Sequence, residues 1–272
     1  MKPQAVHQST EDVGPKKHRR GHALIAISLL VIGAIGIILV VQIYLSRQAV
    51  YQAAQDEYAI VQSLYLTTQS EKPSERASLS QFHEAQLARV DISALQSLNA
   101  DCVGWIEIPD TAISYPIVQG SNNAYYLTHT FQKTQNKAGA IFMDYRCATD
   151  FSDMHTILFG HNMRDGSMFA SLDQYQDASF LALHPIVHIH LADRVLVYRI
   201  VLAKQIAQSN RLFSAIASLN DVEAIQKALA VVLAQAADFD ENGTYITLST
   251  CVDNGDSAAR DIIIAKLESI VQ

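Results

Sequence analysis

Between Gly21 and Ser46 the chain runs GHALIAISLLVIGAIGIILVVQIYLS without one Asp, Glu, Lys or Arg, and from Ala23 to Val41 its only polar residue is Ser28. A helix rises about 1.5 Å per residue, so such a run is long enough to cross a hydrocarbon core of roughly 30 Å. The competing reading is a cleaved signal peptide, which calls for a shorter apolar region and a small-residue cleavage site; Ile43 to Arg47 offers no such site. The stretch 21–46 is therefore expected to be an uncleaved signal anchor. The basic cluster Lys16, Lys17, His18, Arg19, Arg20 precedes it. That asymmetry predicts a cytoplasmic, polar and disordered tail over 1–20, with everything from residue 47 onward on the extracellular face.

Outside that cluster nothing is strongly basic. A net charge of −7 and a pI near 5.8 give no face for nucleic acid, while 49% hydrophobic residues in 272 suffice for one sizeable core. The three cysteines, Cys102, Cys147 and Cys251, all fall in the exported part. An odd count outside the cell implies at least one free thiol; Cys102 and Cys147 either pair as a disulfide or are two separate buried thiols.

Residues 47 to about 70 are rich in Ala, Gln and Leu and lack Gly and Pro, which suits a helical stalk. SEKPSERASLS, 70–80, breaks the pattern with Pro73 and several serines and reads as a turn or linker. A second helical stretch is expected from Gln81 to Leu98, so that 47–88 forms a stalk and linker and 89–272 an extracellular domain. From Asp101 the texture becomes short apolar or alternating runs: VGWIEI, ISYPIV, GAIFM, TILF, IVHIHL, RVLVYRIVL, TYITLS and DIIIAKL. Eight such runs, mostly β-branched, predict a mainly β barrel or sandwich. One helix interrupts them over 218–239, with Asn220 as N-cap and Val222, Ile225, Leu229, Val232 and Leu233 on one stripe that packs on the barrel.

A nucleophilic cysteine needs a route to thiolate, a proton donor for the leaving group and a donor aimed at the developing oxyanion. Cys251 ends the alternating run TYITLST, Arg260 opens DIIIAKL, and His161 follows TILFG, so all three sit at predicted strand ends. Taken singly, each has a plainer explanation: a buried thiol, a solvated strand-end cation, one histidine among ten.

Taken together, TLSTC followed closely by Arg, with an upstream GHN after a β-run, resembles the sortase family of membrane-anchored cysteine transpeptidases. DCVGWIEIPDTAISYPIVQG, SNNAYYL, GAIFMDYR and TILFGHNMRDGSMFASLDQY are similar to class B members, as is the long helix before the strand bearing Cys251. The resemblance implies an eight-stranded sortase barrel with N-terminal helices, with His161, Cys251 and Arg260 as catalytic residues. It implies cleavage of a C-terminal sorting motif after threonine, a thioacyl intermediate on Cys251, and transfer to an amine of a cell-wall precursor such as lipid II. A related alternative joins pilin subunits through a lysine amine. Asp253 matches a carboxylate of class B sites that orients His161 or Arg260, or else is an ordinary turn residue. Ser249 and Thr250 are expected to shape the substrate groove, and Tyr125, Tyr126 and Asn162 to line it. No cofactor is implied.

Other chemistries fit less well. His184, His188 and His190 in HPIVHIH invite a metal, with the last two on one face of a strand, but no further ligand at site-like spacing accompanies them. The stretch from Cys251 to Arg260 is too long and too poor in glycine for a phosphate loop. A papain-like enzyme places its cysteine before its histidine, the reverse of the order here. A membrane-tethered binding module with an inert cysteine is the non-enzymatic reading.

Overall fold

The computed structural model describes residues 16–67, 89–207, 209–210, 212–213, 222–234, 239–251 and 259–272 of the chain. Helix α1, Lys16–Tyr65, is 50 residues long and starts within the stretch expected to be a disordered tail. With no Pro between Lys16 and Tyr65, nothing interrupts its hydrogen-bond ladder where the anchor was expected to give way to the stalk. Leu24–Ser63 is long and apolar enough to cross a membrane, with a mean hydropathy of 3.2 in its best window, and Leu24, Ile32, Ile38 and Leu45 are all exposed. The chain divides into two units, Met1–Ala49 and Val50–Gln272, so the last turns of α1 belong to the second.

In that second unit, strands β1, Leu66–Thr67, and β2, Arg89–Val90, pair antiparallel. The expected turn over 70–80 lies outside the described residues. Of the second helical stretch, expected from Gln81 to Leu98, residues 81–88 lie outside the described residues, Arg89–Val90 is strand, and helix α2 covers Ile92–Leu98, where the Asp91 side chain caps it by accepting from the Ala94 N–H at 2.9 Å. An Asp before an apolar run is an N-cap signal, so α2 starts directly after it.

Eight strands then close a barrel: β3, Cys102–Glu107; β4, Ser114–Val118; β5, Ile141–Met143; β6, His155–His161; β7, Ile186–His190; β8, Val195–Ala207; β9, Tyr245–Cys251; and β10, Ala259–Val271. They correspond one for one to the eight apolar runs. Around the ring the order is β10-β8-β7-β3-β4-β5-β6-β9, with β4∥β5 and β6∥β9 the parallel neighbours and the rest antiparallel. The short helix α3, Ala178–Leu183, precedes β7.

Strand periodicity sets the layers. Ile246, Leu248, Ile263 and Ala265 join the barrel core with Ile117, Ile141 and Leu158. Tyr245, Ile262 and Ile264 instead meet helix α4, Val222–Leu233, whose Ile225, Leu229, Val232 and Leu233 form a second cluster with them and with Ile206 of β8. Burying a side chain of this size contributes about 1.5–3 kcal/mol, so α4 holds β8, β9 and β10 as one slab. The described helix is shorter than the expected 218–239: Phe239 is not helical, and Asn220 lies outside the described residues. Cys102 and Cys147 are free thiols, both buried, so no disulfide joins them.

Candidate active site

The parallel pairing of β6 with β9 sets His161 and Cys251 as register partners, the last pair of a ladder that begins at His155 and Tyr245. Neighbouring strands lie about 4.8 Å apart, so the two backbones are fixed side by side at one end of the barrel. On the other side of β9, β10 pairs antiparallel with Ile262 opposite Ser249. Continuing that register by two residues puts Arg260 across from Cys251. His161 and Cys251 are thus paired across adjacent strands although ninety residues separate them in sequence, and the extended register brings Arg260 of the next strand into the same row.

The Arg260 side chain is half-buried, and its Nη1 donates a 2.7 Å hydrogen bond to the carbonyl of Thr250, the residue immediately before Cys251. Thr250 itself is clamped to the same strand: the Asp261 N–H donates to its Oγ1 at 3.1 Å. Thr250 and Ser249 are almost fully buried, so each serves to fix β9 rather than offering a side-chain surface to a peptide.

His161 is 8% exposed. Its Nε2 lies 2.7 Å from the carbonyl oxygen of Leu127; a carbonyl only accepts, so Nε2 carries a proton and donates it. Nδ1 is buried and has no hydrogen-bond partner among the described residues. A buried nitrogen left unpaired is uncommon in a folded protein, and Nδ1 is the ring atom that no described group engages. The preceding residue must be glycine for packing reasons: a Cβ on Gly160 would come within 2.5 Å of Ile141 Cδ1 and 2.7 Å of Phe169 Cδ2. The Phe169 N–H also donates to the His161 carbonyl at 2.9 Å, which seats that ring against the strand end.

The carbonyl that holds His161 belongs to the connection between β4 and β5, and the last turns of α1 hold that connection. Tyr58 Oη donates to the Gly139 carbonyl at 2.7 Å and accepts from the Phe131 N–H at 3.3 Å. Glu57 accepts from Thr130 Oγ1 at 2.8 Å and from the Gln132 N–H at 2.9 Å. Gly139 has φ +58°, and a Cβ there would sit 2.5 Å from the Tyr126 carbonyl and 2.9 Å from that of Leu127. Only glycine permits this approach. These positioning residues carry no pattern that marks them in the sequence.

Among the weaker candidates, Tyr126 is fully buried; its hydroxyl donates to Asp101 at 2.6 Å and accepts from Asn99 at 3.0 Å, so it braces the fold and lines no groove. The neighbouring Tyr125 carries the exposed ring, stacked on His129 at 4.1 Å. Asn162 is exposed beside His161 and bridges to Met168. Asp253 lies outside the described residues. The other two thiols differ from a reactive cysteine: burial pushes Cys102 up to about 11 and Cys147 up to about 12.

Residues 106–268, more than half of the chain, match the family model of the sortase domain. Sortase B of Listeria monocytogenes is 52% identical over 97 residues, 36% of this chain and 39% of that protein. Sortase B of Staphylococcus aureus is 33% identical over 134 residues, 48% of this chain and 55% of that protein, so the chain spans between about two fifths and just over half of these curated relatives. A solved Staphylococcus aureus sortase B–substrate complex superposes with a TM-score of 0.59 and 26% identity, covering 65% of this chain and 84% of that one. The chain therefore belongs to the sortase family, a family of cysteine transpeptidases, and its relatives are class B members.

Proposed function

We propose that the chain is a membrane-anchored class B sortase that cleaves a C-terminal sorting motif after threonine and transfers the acyl group to an amine of a cell-wall precursor. The observation that carries this reading is the His161–Cys251 register pair of β6 and β9, with Arg260 of β10 bonded to the carbonyl of Thr250, the residue before Cys251.

In the first step the Cys251 sulfur, as thiolate, attacks the threonine carbonyl. Arg260 steadies the oxyanion that forms, a role its place beside the Cys251 backbone supports. Collapse of the tetrahedral intermediate breaks the peptide bond, and His161 gives the departing amine its proton, leaving a thioester on Cys251. The exchanging nitrogen is Nδ1, because the Leu127 carbonyl keeps Nε2–H engaged and the ring fixed. In the second step the incoming amine attacks the thioester, its proton passes to Nδ1, and the sulfur departs with its electron pair. Anchoring through the apolar run 21–46 of α1, with Lys16–Arg20 cytoplasmic, would keep the barrel at the extracellular face where both substrates arrive.

The test is a transfer assay: the detergent-solubilised chain, a library of C-terminal sorting peptides, and either a cross-bridge peptide amine or a lysine side chain as acceptor. The expected result is a mass-identified peptide cleaved after threonine and joined to the cross-bridge amine. Transfer to lysine alone assigns pilin joining instead, and no cleavage of any peptide overturns the reading.

A further inference from the structure

Diametrically across the ring from β6 and β9, strands β3 and β7 bring three metal-binding side chains together. His188 and His190 alternate onto one face of β7, and Glu107 at the end of β3 is the register partner of His188. One ligand atom from each lies within 4.8 Å of the other two. The arrangement is already tight at one edge: His190 Nε2 and Glu107 Oε2 are 3.3 Å apart. Donors about 2.0–2.1 Å from a tetrahedral zinc ion are separated by roughly 3.3–3.4 Å, so that edge needs no adjustment and His188, within 4.8 Å of the other two, needs a movement of at most about 1.4 Å.

We propose that Glu107, His188 and His190 form a binding site for a divalent transition-metal ion of the zinc type, stapling β3 to β7. Two imidazoles and one carboxylate suit zinc and its neighbours and disfavour calcium or magnesium, which take oxygen donors. His190 is 2% exposed and Glu107 28%, so an ion would be enclosed on the His190 side and reached by solvent on the Glu107 side, where water completes the shell. Placed across the barrel from His161, it is structural rather than catalytic. Such a site adds stability in proportion to how far the free ion exceeds its dissociation constant.

The test uses the untagged, EDTA-stripped full chain in detergent, carrying Cys251→Ala so that the reactive thiol cannot capture the ion. Titration with zinc chloride, read by calorimetry and by competition with a chromophoric chelator, is expected to give one equivalent bound at micromolar affinity or tighter, with a rise in Tm. Adding His188→Ala or Glu107→Gln, both at half-buried positions, is expected to weaken binding at least about 100-fold. Cobalt in place of zinc is expected to show ligand-field bands without a sulfur-to-metal charge-transfer band. No binding at about 100 μM zinc, undiminished binding in both variants, or a thiolate band with cobalt each overturns the site.

Discussion

Arg260 makes the strictest geometric demand of any residue in the row. Its Nη1 reaches the Thr250 carbonyl at 2.7 Å, and the rest of a planar, five-donor fork is what the proposed reaction would use for the oxyanion and the sorting peptide. Lysine keeps the charge but offers one ammonium to both tasks. Arg260→Lys is therefore expected to lower kcat/KM by about 100- to 1,000-fold while Tm changes little, measured by peptide cleavage and thermal melting. Turnover near that of the parent removes the oxyanion role. The three candidate residues were legible because each ends or opens an apolar run and TLSTC carries a family signature. The Leu127 carbonyl was not, since every residue has one and only the folded connection chooses which carbonyl meets His161. Tyr126 and Tyr125 look alike in sequence; only packing decides that the first braces Asp101 and the second faces outward.

Among the elements, the eight strands were readable from their two-residue period, and α4 from its stripe, because each buries a face whose spacing the chain must encode. The short strands β1 and β2 were not, since two residues give no period. Nor was the third ligand of the β7 histidines: Glu107 becomes a neighbour of His188 only through strand pairing. Side-chain hydrogen bonds also give the end of α1 a task within the barrel unit. Its Tyr58 ties the β4–β5 connection through Gly139 and Phe131, and that connection presents Leu127 to His161. Tyr58→Phe leaves a buried carbonyl and N–H unpaired at a cost of about 1–3 kcal/mol. The expected outcome is a several-fold fall in kcat with KM for the peptide nearly unchanged, at a temperature where the variant is fully folded. A lowered Tm with normal kcat shows that Tyr58 only stabilises.

For the molecule as a whole, one buried base ties stability to pH. His155, fully buried at the start of β6, has Nε2 2.7 Å from Thr247 Oγ1, and burial pushes its pKa down to about 3. The unfolded chain binds that proton below about pH 6.5 and the folded chain does not until about pH 3. Its contribution is therefore complete above pH 6.5 and is lost progressively as pH falls toward 3. Melting curves from pH 7 to pH 4 are expected to show a falling Tm, with a shallower slope in His155→Gln; an equal slope assigns acid sensitivity to other groups. Burial also sorts the thiols, since Cys102 and Cys147 are held far above neutral pH as uncharged groups.

In the proposed reaction Cys251 alone carries the acyl group. Intact-protein mass spectrometry of the chain mixed with a sorting peptide and no amine acceptor tests it most directly. The prediction is one adduct with the mass of the peptide up to its threonine, mapped to Cys251, discharged by hydroxylamine and absent from Cys251→Ala. An adduct that persists in Cys251→Ala, or that maps to Cys102 or Cys147, contradicts it.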